Sequence, residues 1–542
     1  MLSASSLGRH RALLFLFPFV VAVLLRIYPY LVYGVPYSTD SWSPIRNAEH
    51  LLAYSPTTLG GNPVFDNYNI YWPANSLFGA VASLVLNVPP IKTMPLLFPV
   101  IGAVTVIIFF LVAEEVTGSA LVASMAALFL ACAGFDAIFT AGVNKETYAL
   151  PLFMLSILLL LWKTDKRSGA LFVITSVTLA LAHHATAILF LAVAASVLFV
   201  NSVRLKRRGE SVGRKPFLLV IGGAITLAYF LAYAEAGLGA LAGLLTVQNV
   251  FLAFAFLTAF ISPVAYHAVS RPSRLLLAEG GIVLGLTVAV LAVGTRASLI
   301  PLAPLVSLAL LYAAIPYILL GMLAIFGYRI IHLSRDRGSF VFVAAWLSAV
   351  LAMGYLALFS TVPDGLFILY RLLSFIAPPA LILASLALQR VLGGTRRRGV
   401  MKVVVVAIIL VIAVPSAYQT YAASIQRDNL LGGQWAYQSS DLVGAQWMSG
   451  NSAHGNLTLA ADSRISYVLT DYLGMKVDAE SGYLYLLSPD QAVRPAYLVT
   501  YDLMERNGYV LFLYGLPLPA NWTTTLQHSE PLLYNNGNII LW

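Results

Sequence analysis

The run "ALLFLFPFVVAVLLRIYPYLVYG" (residues 12–34) leads directly into "VPYSTDSWSPIRNAEHLL" (residues 35–52). The first stretch has the length that a helix of roughly 20 residues needs to cross a bilayer, and it exceeds the apolar core of a cleavable signal peptide. It reads as a retained first span over 12–33. The second stretch places Asp40, Arg46, Glu49 and His50 beside that span, in a chain that is 59% hydrophobic, only 10% charged and has a mean hydropathy of +0.83. Soluble domains carry about a quarter of their residues as charges. The chain therefore reads as an integral membrane protein with a polar segment held at the membrane face.

Working outward, apolar spans are drawn at 12–33, 94–113, 118–138, 147–162, 169–184, 186–201, 216–236, 243–268, 280–295, 300–328, 339–360, 367–389 and 402–420. That is about 13, an odd number, so the two termini are expected on opposite sides. The basic residues give the sidedness. Arg9 and Arg11 precede the first span, and "KTDKRS" (163–168), "RLKRRGESVGRK" (204–215), "SRPSR" (270–274), "YRIIHLSRDR" (328–337) and "QRVLGGTRRRGVMK" (389–402) all fall on the same side of this map. Positive connections stay in the cytoplasm. The N-terminus is thus expected inside, and the first loop (34–93) and the C-terminal region outside. The formal net charge of +9 follows from these short clusters and does not imply nucleic acid. Residues 76–90 are too short to cross comfortably and end in Pro-Pro, so they read as re-entrant or interfacial.

Beyond residue 420 the composition becomes mixed. "LTLAAD" (457–462), "AYLVTYDL" (496–503), "GYVLFLYG" (508–515) and "GNIILW" (537–542) read as strands, and "SRISYVLTDYLG" (463–474) reads as helix. The expected organisation is a multi-span domain over 1–420 and a small extracytoplasmic α/β domain over 421–542. Two N-x-T tripeptides, at Asn456 and Asn521, suit an external position. No Walker loop, GxGxxG fingerprint or Cys/His metal-knuckle spacing is present, which removes the usual marks of ATP-driven transport and dinucleotide chemistry. The one cysteine, Cys132, cannot form an internal disulfide.

On this map the outside-facing acids are Asp40, Glu49, Asp66, Asp136, Glu146, Glu235 and Asp364. Ionisable groups at the membrane are functional candidates by default. Asp40 precedes Ser43-Pro44, an N-cap and N1 pattern, so helix capping stands beside a role as general base or metal ligand. Asn144 and Glu146, two apart around a turn, can converge on one ion or hydroxyl; Glu146 also suits a helix N-terminus. His183 and His184 sit at the next external turn, pointing about 100° apart on a helix, so one of them as a phosphate or sugar contact competes with interfacial packing. Arg371 lies in the apolar run of "VPDGLFILYRLLSFIAPP" (362–379), about 10 Å along a helix from Asp364. Its planar fork fits phosphate oxygens, and snorkelling to headgroups is the structural alternative.

Taken in order, the first loop "STDSWSPIRNAEHLL", the pair "EEVTGSALVASMAALFLACAGFDAIFTAGVNKETYALPLF", the arginine of "LYRLLSF", about 13 spans and an outside C-terminal domain resemble the GT-C class of membrane glycosyltransferases. The likeness is to archaeal and bacterial relatives of the oligosaccharyltransferase catalytic subunit. It implies a sugar or glycan donor on a polyprenyl or dolichyl phosphate, and transfer at the external membrane face to a glycan, lipid or protein acceptor. It implies Asp40 as the first-loop catalytic carboxylate, Glu146 as the second-loop acid with Asn144 where an Asp is often found, and Arg371 as the donor-phosphate contact. Asp40 and Glu146 are then also the candidate ligands of a divalent cation, Mg or Mn. Two departures stand out. The Trp-Trp-Asp motif that reads an asparagine acceptor is missing from "GGQWAYQSSD" (432–441) and "AQWMSGN" (445–451), and Trp42 stands two residues after Asp40 where a second acid is expected. The favoured reading is a lipid-linked-donor glycosyltransferase. An asparagine-linked oligosaccharyltransferase and a lipid-linked glycan flippase are the alternatives; no paired broken helices of the transporter kind are found. In the external region, Asp462 and Arg464 either face an acceptor or form a buried ion pair.

Overall fold

The computed structural model describes all residues except 1–3, 56–64, 66–67, 163–164, 236–246, 270–307, 334–336, 360–364, 394–397, 426–434, 452–458, 490–491 and 512–513. The expected span at 280–295, Asp66, Asp364 and the tripeptide at Asn456 lie outside the described residues.

The apolar runs fold as helices. In chain order these are α1 (Ala4–Tyr33), α2 (Trp42–Ala53), α3 (Ala74–Leu86), α4 (Pro90–Thr117), α5 (Ala120–Cys132), α6 (Gly134–Phe139), α7 (Lys145–Leu161), α8 (Lys166–Ala182), α9 (His184–Arg207), α10 (Lys215–Ala232), α11 (Val247–Val269), α12 (Leu308–Leu333), α13 (Arg337–Phe359), α14 (Gly365–Gly393) and α15 (Arg398–Ser424). Among the described residues, eight helices (α1, α4, α9, α10, α12, α13, α14 and α15) are long and apolar enough to cross a membrane. Of the 13 spans drawn from hydropathy, 280–295 lies outside the described residues and 243–268 folds as α11; three others differ from the expectation for reasons visible in the helices. The expected span at 118–138 is broken at Ala133, whose extended backbone separates α5 from α6. Helices α7 and α8 are each 17 residues, about 25 Å, just short of a comfortable crossing. Helix α3, 13 residues long, is far too short to span, and it keeps Val81, Leu84 and Val85 exposed along one side.

The chain divides into two compact units. The first comprises residues 1–25, 101–137 and 148–419. It is a helical bundle in which Phe153 meets Phe190, Trp346 and Phe375 at ring distances of 5.0–6.1 Å. One buried polar cluster in it is matched: Tyr317 donates to Gln419 Oε1 (2.7 Å) and accepts from the Gly134 amide (2.9 Å), and Gln419 donates to the Ala313 carbonyl (2.7 Å).

The second unit comprises residues 26–100, 138–147 and 420–542. Its C-terminal part contains α16 (Ser439–Asn451), α17 (Ser463–Tyr467), α18 (Ala479–Leu487), α19 (Met504–Asn507) and α20 (Trp522–Ser529). A mixed sheet is built from β1 (Leu459–Ala460), β2 (Tyr497–Tyr501), β5 (Tyr534–Asn535) and β6 (Ile539–Leu541) in the order β1-β2-β6-β5. β1 runs parallel to β2, and the other pairs are antiparallel, with Val499 opposite Leu541 and Tyr501 opposite Ile539. The run at 508–515 is a separate antiparallel pair, β3 (Tyr509–Leu511) and β4 (Tyr514–Leu516). The core joins Ile465, Leu469, Val499, Tyr509 and Ile539 to Val35 and Trp42 of the first loop.

Candidate functional site

Asp40 lies in a single 3-10 turn, Thr39–Ser41, placed between α1 and α2. The turn begins at Ser38, whose φ of 79° is a left-handed value that non-glycine residues seldom adopt. Three contacts hold Ser38 there. Its amide donates to the Trp435 carbonyl (2.9 Å), its hydroxyl accepts from the Asp40 amide (3.3 Å), and Gly142 packs against its Cβ. Strained backbone that is fixed from several sides is characteristic of sites where a side chain must be aimed. Asp40, the middle residue of this turn, is exposed.

The neighbouring wall is the second loop, residues 138–147. Ser41 links the two: its hydroxyl donates to the Tyr37 carbonyl and accepts from the Val143 amide (2.7 Å), with Ser41 and Val143 both fully buried. A Cβ on Gly142 would come within 2.6 Å of Ser38 Cβ and 2.9 Å of the Tyr37 carbonyl oxygen, so only glycine permits this approach. The structure thus brings the Asp40 turn onto the turn that carries Asn144 and Glu146.

Asn144, Lys145 and Glu146 are all buried, at 1%, 8% and 3% exposure. Three consecutive polar residues buried in one turn cost free energy unless each is engaged. The Asn144 amide closes the turn, donating to the Phe139 carbonyl (2.8 Å) and accepting from the Thr147 hydroxyl, which also donates to the Gly142 carbonyl (3.0 Å). The Lys145 ammonium sits 3.6 Å from the ring centre of Tyr68 and 5.5 Å from that of Trp72, both from the first loop. Glu146 occupies the first turn of α7, where the helix dipole favours a carboxylate.

Arg26 belongs to the same unit and was not singled out by the sequence reading. It is fully buried in α1, and its Nε donates to the hydroxyl of Thr140 in the second loop (2.7 Å). The signal was available, since an arginine inside an apolar run is the criterion that marked Arg371. Arg371 itself is half-buried on α14, in the helical-bundle unit. His183 and His184 are in that unit too, at the junction of α8 and α9. Their rings are 4.9 Å apart, and His183 Nδ1 is 2.8 Å from the Thr186 hydroxyl.

Trp42, where a second acid was expected, is fully buried in the C-terminal core, its ring 5.1 Å from Tyr437 and 5.5 Å from Tyr472. From the same helix, Glu49 accepts from the Tyr472 hydroxyl (3.2 Å), and burial pushes its carboxyl above the ordinary range against that hydrogen bond. Asp462 and Arg464 are buried structural groups. Arg464 pairs with Asp441, donates to the Ala436 carbonyl (2.8 Å) and lies between the rings of Tyr437 and Tyr501. Asp462 caps α17 through the Ile465 amide (3.0 Å) and accepts from Tyr501 (2.5 Å). Burial raises its pKa to about 6, with these hydrogen bonds opposing the shift. The tryptophans of the segments searched for an acceptor motif also serve packing: Trp435 lies against the cluster of Tyr37 and Ile138, and Trp447 stacks on Tyr534 at 4.2 Å.

No protein-family model matches the sequence, and no curated protein is similar to it at a significant level. Solved structures are similar in fold. The archaeal oligosaccharyltransferase AglB from Archaeoglobus fulgidus, in complex with an inhibitory peptide and a dolichol-phosphate, aligns over 92% of this chain and 70% of its own, with a TM-score of 0.58 and 13% identity. The Archaeoglobus fulgidus oligosaccharyltransferase tethered with an acceptor peptide containing the NVT sequon aligns over 91% and 69%, at TM-score 0.56 and 14% identity. The same enzyme in complex with Zn and sulfate aligns over 91% and 68%, at 0.57 and 14%. The chain shares its fold with these archaeal oligosaccharyltransferase structures.

Proposed function

We propose that this protein is a membrane glycosyltransferase that moves a sugar or glycan from a polyprenyl- or dolichyl-phosphate-linked donor to an acceptor at the external membrane face. The observation that carries this reading is the Ser41–Val143 junction, which presents exposed Asp40 beside the buried Asn144–Glu146 turn. The dolichol-phosphate held by the Archaeoglobus neighbour supports a lipid-linked donor. Orientation follows the positive-inside rule: N-terminus cytoplasmic, first loop and residues 421–542 outside.

In the reaction, the acceptor nucleophile attacks the anomeric carbon, the bond from that carbon to the phosphate oxygen breaks, and the acceptor proton passes to Asp40. Arg371 is assigned to the leaving phosphate, whose negative charge its fork suits. Single displacement inverts the anomeric centre. Asp40 and Glu146 were the candidate ligands of a divalent cation. Among the described residues, no group of three or more His, Cys, Asp or Glu is placed to hold a metal ion. Trp42 is committed to the core and the Asn144 amide is engaged within its turn, so Asp40 and Glu146 are the residues of these two turns that would hold a divalent cation.

The test is transfer of labelled sugar from a polyprenyl-phospho-sugar by purified protein in liposomes. Asp40→Asn is expected to abolish transfer while helical content and elution profile stay unchanged; full activity in that variant would end the assignment. The tethered sequon peptide of the Archaeoglobus enzyme favours an asparagine acceptor as the second reading. Glycosylation of an Asn-X-Thr peptide would select it over other acceptors. Movement of intact lipid-linked glycan between leaflets, without bond transfer, would instead select the flippase.

A further inference from the structure

A cavity of about 180 Å³, partly open, lies in the helical-bundle unit between α7, α9, α10 and α13. Ile157, Leu160, Leu198, Val341 and Phe342 supply most of its wall, and its polar lining consists of Asn201 and Lys215. Such a lining offers water too few partners to hold it in place, whereas hydrocarbon fits.

Among the lining residues the charged one, Lys215, is a cation. Lys215 Nζ donates one hydrogen bond to the Leu161 carbonyl (3.1 Å) at the end of α7, and an ammonium has three donors. No carboxylate among the described residues pairs with it; Glu115 acts on it through space, without a hydrogen bond. Asn201 accepts from Arg204 Nη2 (2.9 Å), which fixes a guanidinium one turn beyond the lining. Lys206 and Arg207 complete that last turn of α9. Lys215 is itself the first residue of α10, and Gly338 lies in the first turn of α13, helix ends that favour anions. An apolar slot beneath a cationic lip has the polarity of a lipid with one negative charge at its head.

We propose that this cavity binds an anionic membrane phospholipid, one acyl chain in the slot and its phosphate at Lys215 and Arg204, in the leaflet on the side of the basic connections. The inference stands apart from the glycosyltransferase reading, since no residue of the Asp40 and Glu146 turns takes part. Charge gives the selectivity and the chain gives the retention, about fourfold in affinity for each methylene buried.

The experiment is native mass spectrometry of the delipidated full chain, titrated with phosphatidylglycerol or with phosphatidylcholine of the same acyl chains. Phosphatidylglycerol should bind more tightly. Lys215→Gln should weaken phosphatidylglycerol about fivefold, the effect of one lysine at a membrane surface, and leave phosphatidylcholine unchanged. Lys402→Gln, which removes an exposed cation remote from this lining, should bind both as the wild type does. Ala194→Leu should weaken both lipids by narrowing the slot, and Val341→Leu replaces it if the first variant does not elute as a folded species. Equal affinity for the two lipids, unchanged phosphatidylglycerol binding by Lys215→Gln, or displacement of the lipid by inorganic phosphate at equal concentration would each overturn the proposal.

Discussion

The indole of Trp42 stands edge-on to the phenol of Tyr437, ring centres 5.1 Å apart and planes at 88°, so the helix that follows Asp40 is anchored in the C-terminal core. Trp42→Ala should destabilise the protein by about 3–5 kcal/mol, the range for emptying a large buried aromatic site. Trp42→Asp, which restores the acid that the resemblance leads one to expect, should be at least as damaging, because it buries an unpaired carboxylate. Thermal unfolding followed by intrinsic fluorescence measures both. A stable Trp42→Asp variant with enhanced cation binding would show that this position belongs to the site and not to the core.

The Ser41–Val143 contact gives a sharper test of positioning. Ser41→Ala removes two buried hydrogen bonds, worth about 1 kcal/mol each, and leaves the Val143 amide unmatched. Gly142→Ala forces the two loops apart, because its Cβ would meet Ser38 at 2.6 Å. Both variants should fold, and both should lower kcat for sugar transfer with less effect on the donor KM, Gly142→Ala more strongly. Wild-type kcat in Gly142→Ala would mean that the spacing of the two loops does not matter to the reaction.

The residues that the sequence left unread share one property: their roles depend on contacts between distant segments. Hydropathy located α1, α4 and α9 to α15 closely because a span is a local property of some 20 residues. It did not show the helix break at Ala133, since an extended residue inside an apolar run leaves hydropathy unchanged. Asp40 and Glu146 were legible as acids next to spans. That Ser41 and Gly142 join their turns was not, because serine and glycine carry no pattern until a partner 102 residues away is known. Trp42 read as a missing acid and is in fact a packed anchor, a distinction that only burial reveals. Lys145 lies over the Tyr68 ring, a contact between segments that its charge alone does not announce.

Asp462 makes stability depend on pH in a definite direction. Its carboxyl is fully buried, with a pKa raised from 3.8 to about 6, so between these values the folded chain holds a proton that the unfolded chain has released. Stability from this group is therefore greatest below about pH 4 and is lost as pH rises through 6, by about 3 kcal/mol in all. The melting temperature, read from the fluorescence of buried Trp542 near Thr500, should fall between about pH 4.5 and pH 7. Asp462→Asn should flatten that slope and lower the plateau, because an amide in place of Oδ2 cannot accept from the Val510 amide. An unchanged slope in this variant would assign the pH dependence to other groups.

Arg26 offers the last test, and it concerns the second loop alone. Its Nε donates to the Thr140 hydroxyl at 2.7 Å, and both residues are buried. Hydrogen bonds to charged groups contribute about 1.5–3 kcal/mol, so Arg26→Met should loosen the loop by about that much, and Thr140→Val by less. Lys145 reports the change, because it is 8% exposed and shielded by Tyr68 and Trp72. Its modification by an amine-reactive reagent, followed by peptide mass spectrometry, should be slow in the wild type and several times faster in Arg26→Met. Lys92, in the first residues of α4, supplies the internal standard for reagent access. Equal protection of Lys145 in the variant and the wild type, at equal melting temperature, would show that the second loop keeps its place without Arg26, and would return this arginine to the functional candidates on the same footing as Arg371.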